Sequence, residues 1–323
     1  MRPVSEPLLS LENLEVSFPA GAVVRGVSLS VKRGETVGVV GESGSGKTMT
    51  ALSALRLIPE PGRVTAGKIL FEGKNLLELS EKEMRQIRGG RIAMIFQDPM
   101  TSLNPVFTIG DQIAESVQLH KGVSKSEAKA AAVEALRRVQ IPDAERRARQ
   151  YPHELSGGMR QRAMIAMALA SEPDVLLADE PTTALDVTVQ AQILTLIRKL
   201  QQELGMAVIF ITHDLGVVAQ VCDRVAVLYG GQVMEEADVH TLFADPKHPY
   251  TQGLLNSLPE MAHGQQLNFI PGQPPTRPSE VSGCPFRPRC SQAIDKCAEP
   301  LPMVILPKEH LVRCHRVTTE EAR

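Results

Sequence analysis

The chain has 323 residues, of which 43% are hydrophobic and 22% charged, and its formal net charge is -2. That length supports one large globular domain or two smaller ones, and the missing basic surplus excludes a broad phosphate-backbone surface, so nucleic acid is not an expected partner. Tryptophan is absent and aromatic residues make up only 3%, which argues against a stacking platform for single strands.

In chain order, the opening MRPVSEPLLSLENLEVSF is broken by Glu6, Ser10, Glu12 and Asn13 and does not read as a signal peptide. No uncharged apolar run approaches the roughly 18 residues of a membrane span. The expectation is a cytosolic chain that meets a membrane only through a partner. Residues 8–38 and 67–76 alternate apolar and polar positions in short runs, which predicts an antiparallel β lobe. Four all-apolar runs, TVGVVG (36–41), RIAMIFQ (91–97), DVLLADE (174–180) and MAVIFITHD (206–214), predict buried parallel strands covered by helices. Residues 98–155 read as mostly helical, with Ser124 and Glu127 forming a capping box for a helix over 124–139. Val189, Ile193, Leu196, Ile197, Leu200 and Leu204 make one apolar face of a helix from about 188 to 205, closed by Gly205. VAVLYGGQVMEE reads as a hairpin turning at Gly230-Gly231. Beyond about 245 prolines multiply and periodicity fades.

GESGSGKT at 41–48 follows an apolar strand and opens a helical stretch, the setting a phosphate-binding loop needs. Glycines let the backbone wrap phosphates, the N–H groups of 44–48 donate to phosphate oxygens, and the helix N-terminus adds its positive end. Lys47 would bridge the β- and γ-phosphates, and Thr48 would give its hydroxyl to Mg²⁺. The apolar strand VLLADE ends in Asp179, placed to hold Mg²⁺, and Glu180, placed to orient or deprotonate an attacking water. LSGGM at 155–159 precedes a second helix and makes another anion-ready start from Ser156, Gly157 and Gly158. Two cradles for one phosphate predict a dimer in which this one closes on the nucleotide of a partner.

The phosphate loop, FQDPM with Gln97, LSGGM, VLLADEP, TTALD with Asp186 and ITHD with His213 occur in that order. Over residues 8–245 the chain resembles an ABC-type ATPase cassette. The resemblance implies an α/β fold: a P-loop NTPase (RecA-like) core with an antiparallel β lobe over 1–97 and 156–245, a helical insertion subdomain over 98–155, and a C-terminal cysteine-containing extension over 246–323. It implies that Phe18 stacks on adenine and that Gly41, Ser43, Gly44, Ser45, Gly46 and Thr50 bind nucleotide with Lys47 and Thr48. It implies that Gln97 senses Mg²⁺ and the attacking water, that Asp186 crosses a dimer interface and that His213 contacts the γ-phosphate. Met159 stands where many cassettes carry glutamine. Catalysis would fall to Glu180, His213, Gln97 and Lys47, in composite sites completed by Ser156 and Gly158 of the opposite subunit.

One cassette without a coiled coil, a second cassette or membrane spans fits a transporter's energy subunit. FADPKHPYTQGLLNSLP (243–259), PGQPPTRP, GCPFRPRC and QDPMTSLNP (97–105) resemble bacterial peptide and nickel import ATPases. In that group two related ATPase subunits pair beside two membrane permeases and an extracytoplasmic solute-binding protein, at the cytoplasmic face of the inner membrane. Peptide cargo is expected; nickel, glutathione or opine import, or a non-transport ATPase, are the alternatives.

Four of the five cysteines, Cys284, Cys290, Cys297 and Cys314, fall in the last stretch, with five, six and sixteen residues between them. A cytosolic setting disfavours disulfides. Zinc sites usually include a pair two to four residues apart, which is missing here, and four thiolates also suit an iron–sulfur cluster. The resemblance implies a 4Fe-4S cluster in this tail. Cys222, inside QVCDRV, reads as a buried small hydrophobe.

Overall fold

The computed structural model describes residues 6–183, 185–258 and 269–317. They form two compact units, Met1–Leu77 with Phe210–Arg323, and Glu78–Ile209.

The first unit begins with β1 (Leu9–Phe18), β2 (Gly21–Val31) and β3 (Thr36–Val40), then α1 (Lys47–Ala54), β4 (Arg63–Phe71) and β5 (Lys74–Asn75). Leu9, Leu11, Leu14 and Val16 of β1 are buried, as the period-two pattern predicts. β1 pairs antiparallel with both β2 and β4, with Leu14 opposite Val27. The alternation breaks at Glu12-Asn13, where the register shifts and Asn13 N–H donates to Ser28 Oγ at 2.9 Å. All five residues of β3 are buried.

The second unit holds α2 (Glu81–Ile87), β6 (Ile92–Ile95), α3 (Pro99–Ser102), α4 (Ile109–Lys121), α5 (Lys125–Arg138), α6 (Ala144–Arg147), α7 (Gly157–Leu169), β7 (Val175–Asp179) and α8 (Val187–Leu204). β6 and β7 pair in parallel and are fully buried. The expected capping box at α5 is present, Ser124 and Glu127 each satisfying the other's backbone N–H. Thr108 caps α4, which packs on α5. α8 buries Ile193, Leu196, Ile197 and Leu200 on one face, starts on the Asp186 side chain and ends at Gly205.

β8 (Ala207–Thr212) carries the chain back into the first unit, followed by α9 (Leu215–Val221), β9 (Arg224–Tyr229), β10 (Gln232–Asp238), α10 (Val239–Ala244), α11 (Pro249–Asn256), β11 (Val304–Leu306) and β12 (His310–Val312). β9 and β10 form the expected hairpin, β9 pairs in parallel with β3, and β12 adds to β10 with Glu235 opposite Val312. These two last strands come from a segment without periodicity and are not predicted from the sequence.

Residues after 245 share the first unit's core instead of building another. Tyr250, Cys284, Phe286 and Cys297 pack in one cluster with Val40, Val227, Tyr229 and Met234. The rings of Tyr229, Tyr250 and Phe286 meet edge-on or tilted, with centroids 4.6–5.2 Å apart, a geometry that adds about 1 kcal/mol per pair beyond burial. Buried Glu235 accepts hydrogen bonds from the backbone N–H of Lys247 (2.6 Å) and of His248 (3.0 Å), and pairs with His310 Nε2 at 2.7 Å. One carboxylate on β10 therefore anchors both the approach to α11 and β12.

Candidate nucleotide-binding site

In the first unit residues 41–48 turn from β3 into α1 and set the loop's shape. Gly41 has φ +152, and a Cβ there would lie 2.2 Å from the Leu228 carbonyl oxygen; Gly46 has φ +99, and its Cβ would lie 2.8 Å from the Val23 oxygen. Only glycine fits both positions. Gly46 is also the N-cap of α1 and has no side chain to satisfy the first N–H groups, which leaves a helix start suited to an anion. The Lys47 ammonium is buried and donates to the carbonyls of Gly41 at 2.7 Å and Glu42 at 3.0 Å. Ser43 and Gly44 are exposed, Ser45 is buried and Thr48 is half-buried. Thr50 is buried, and its hydroxyl donates to the Gly46 carbonyl at 2.9 Å. The Gly230-Gly231 turn braces the loop, since Gly231 N–H donates to the Ser45 oxygen.

A cavity of about 480 Å³ lies beside this loop. Phe18 and Val23 line it on one side, Ser43–Ser45 on another, and the proline-rich residues 273–279 on a third. The Phe18 ring packs against Gly62, where a Cβ would come within 2.4 Å of it. His213 follows β8 and is exposed, and its neighbour Asp214 caps α9.

In the second unit the strand ends bring other site residues together. Asp179 closes β7 and is buried, while Glu180 follows with φ +46, a left-handed conformation rarely tolerated outside glycine and found at functional positions. Gln97 Nε2 donates to Glu180 Oε2 at 3.0 Å, and Thr183 Oγ donates to the same oxygen at 2.7 Å. The Ser156 side chain caps α7 by accepting from Met159 N–H at 3.4 Å, with Gly157 and Gly158 as the first helical residues at an exposed end. Buried Gln161 donates to the Pro181 carbonyl, which ties α7 to the turn after Glu180. Asp186 accepts from Val189 N–H at 2.9 Å as the cap of α8.

The four late cysteines are free thiols in the first unit. Cys284, Cys297 and Cys314 are buried and Cys290 is half-buried. Burial pushes the Cys284 thiol up to about 11, and Cys314 and Cys297 add to the rise. Burial likewise raises Cys290 and Cys314, with Cys297 contributing to both. Opposing this, neighbouring backbone N–H groups favour the thiolate at Cys284, Cys290 and Cys314, and Arg316 N–H donates to Cys314 Sγ at 3.5 Å. Among the described residues no group of three or more His, Cys, Asp or Glu side chains gathers closely enough to hold a metal ion. Cys222 is a free thiol packed against the core, with its pKa raised by burial and then by Asp223.

Sequence reasoning missed residues that reach the phosphate loop from the tail. Arg289 and Tyr250 both contact Glu42, and Arg25 Nη1 donates to the Pro278 carbonyl at 2.9 Å. No local pattern marks them. The only hint is the Arg-Pro-Arg-Cys run beside the cysteines.

A phosphate loop on a buried parallel strand, with a carboxylate pair at the end of a second strand, defines a nucleotide-hydrolysing ATPase of the P-loop class. Residues 24–183 match the family described as ABC transporter, and residues 234–297 match the oligopeptide/dipeptide transporter C-terminal region. A probable peptide ABC transporter ATP-binding protein of Sinorhizobium fredii is 54% identical over 97% of this chain and 96% of its own length. The dipeptide transport ATP-binding proteins of Bacillus subtilis and Escherichia coli are 52% and 50% identical, over 96% and 95% of this chain and 94% and 96% of theirs. A dimeric ATP-binding cassette bound to ADP and Pi superposes with a TM-score of 0.64 at 31% identity, covering 72% of this chain and 98% of that one. The cassette cbiO1 of Clostridium perfringens gives 0.66 at 28% identity, over 80% and 98%. The chain belongs to the ABC transporter ATPase family, among the subunits that carry the oligopeptide/dipeptide transporter C-terminal region. No helix among the described residues is long and apolar enough to cross a membrane.

Proposed function

We propose that this chain hydrolyses ATP to energise a bacterial importer of dipeptides or oligopeptides. The observation that carries the reading is the Gln97–Glu180 hydrogen bond at the end of β7, on a chain that also holds a complete phosphate loop and the peptide-transporter C-terminal region. Residues 1–97 and 156–245 act as the ATP-binding core, 98–155 as the helical subdomain that meets the membrane partner, and 246–323 as the extension. Lys47 and the loop N–H groups hold the phosphates, Phe18 takes the adenine, and Thr48, Asp179 and Gln97 hold Mg²⁺. Mg²⁺ neutralises charge on the phosphates. Glu180 receives the proton of the attacking water, His213 contacts the γ-phosphate, and Ser156, Gly158 and Asp186 complete the site of a second, related ATPase subunit.

The partners are two permeases and an extracytoplasmic solute-binding protein, with this chain peripheral at the cytoplasmic face of the inner membrane. Proteoliposomes holding the purified complex test the reading. ATP-dependent uptake of a labelled dipeptide, abolished by Lys47→Ala, supports it. Uptake of nickel, glutathione or an opine in place of peptide overturns the cargo assignment.

The four thiols Cys284, Cys290, Cys297 and Cys314 hold a 4Fe-4S cluster. Largely buried thiols whose neighbouring backbone N–H groups favour the thiolate fit as ligands, and a cluster, wider than one ion, takes its thiolates on separate corners. Anaerobic purification with iron and acid-labile sulfide analysis decides. About four of each per chain supports the cluster, and Cys290→Ser should lower both; one zinc and no iron overturns it.

A further inference from the structure

Glu42 is the second residue of the phosphate loop, at a position the loop pattern leaves open. A free carboxylate there would face the negative phosphates the loop exists to hold. Its charge is instead taken up by the tail. Arg289 Nη1 donates to Glu42 Oε2 at 2.6 Å and Nη2 to Oε1 at 3.1 Å, a two-pronged pair with the guanidinium 6% and the carboxylate 25% exposed. Charge-assisted bonds of this fork geometry fix orientation as well as charge.

The other Arg289 donors are fixed too. Nε reaches the Pro271 carbonyl at 2.9 Å, Nη2 the Ile270 carbonyl at 3.4 Å and Nη1 the Tyr229 hydroxyl at 3.3 Å. The remaining polar groups of Glu42 are also held. Its N–H donates to the Tyr250 hydroxyl at 2.9 Å, and its carbonyl accepts from Lys47 Nζ at 3.0 Å. Tyr250 and Arg289 belong to the residues after 245, so the C-terminal region grips one loop residue at both its backbone and its side chain.

We propose that Arg289 is a positioning residue for nucleotide binding, which turns the Glu42 carboxylate away from the phosphates, neutralises it and holds the phosphate loop in its binding shape. This rests on the reading of residues 41–48 as the ATP site. Arg289 stands beside Cys290, so the arrangement also ties the loop mechanically to the cysteine-bearing segment.

The experiment measures ATP affinity of the full chain with a fluorescent ATP analogue, for Arg289→Ala, Glu42→Gln, the double variant and Arg289→Lys. Arg289→Ala should weaken binding about tenfold or more, because a buried pair loses the partner of its carboxylate. Adding Glu42→Gln to Arg289→Ala should restore most of the loss, since the unpaired charge is gone. Arg289→Lys should fall between, keeping the charge without the fork. Unchanged affinity in Arg289→Ala overturns the proposal. So does a double variant as weak as Arg289→Ala alone, which would assign the loss to a loosened tail. Lys47→Ala in the same assay separates the two levels: if it binds ATP like the parent chain, the ATP-site reading fails and the proposal with it.

Discussion

Gln97 Nε2 donates a 3.0 Å hydrogen bond to Glu180 Oε2, joining residues 83 positions apart at the ends of two adjacent parallel strands. With Thr183 on the same oxygen, the carboxylate is oriented from two sides. Glu180→Gln should therefore lower steady-state ATP turnover by about 10²-fold or more, the usual contribution of a positioned base, and should keep ATP binding. Phosphate release and nucleotide binding measured on the same preparation check this. Turnover at the parent rate would remove Glu180 as the base.

Gly41→Ala places a methyl 2.2 Å from the Leu228 oxygen on a backbone at φ +152. The strain alone is on the order of 1–3 kcal/mol, and the loop must also move away from β9. Thermal unfolding of the variant should shift down by several degrees, with ATP binding lost alongside.

His248 is fully buried, and burial holds its imidazole down at about 4, although the nearby Glu235 carboxylate pulls the other way. Because the folded pKa lies below the unfolded value, the folded chain resists protonation that the unfolded chain accepts. The stability is present above the ordinary value of 6.5 and is lost as pH falls toward 4. Chemical denaturation at pH 7 and pH 5 should show a loss of about 2 kcal/mol from this residue. His248→Asn keeps an acceptor for the Tyr250 N–H and should remove most of that difference.

Asp186 caps α8 through Val189 N–H and is also proposed to reach a second ATPase subunit. Asp186→Ala should destabilise the chain by about 1 kcal/mol, and Asp186→Asn by much less, because asparagine caps as well. If Asp186→Asn nonetheless lowers ATP turnover, the aspartate acts beyond the helix cap.

The parts legible in the sequence are those written over a short span. The phosphate loop, the Ser124–Glu127 box, the Gly230-Gly231 hairpin and the buried face of α8 each follow from residues within one element and its neighbours. The Glu42–Arg289 pair spans 247 positions, and the pairing of β12 with β10 joins Val312 to Glu235. Neither leaves a trace in periodicity, because an isolated Arg or a three-residue strand has no period. The proline-rich residues 273–279 carry no periodicity, yet they line the cavity beside Phe18 and Ser43–Ser45. Prolines stiffen such a segment without giving it a hydrogen-bonded pattern to recognise.

β12 and β11 also change what the first unit shows to its surroundings. Without them β10 would present a row of unpaired backbone N–H and C=O groups, a template on which a neighbouring chain can add a strand. β12 pairs with Glu235 and Glu236 in the middle of that row, and the three-residue β11 lies outside β12. The C-terminal strands thereby cover part of an edge open to strand addition, and shortening the chain before residue 304 should lower its solubility.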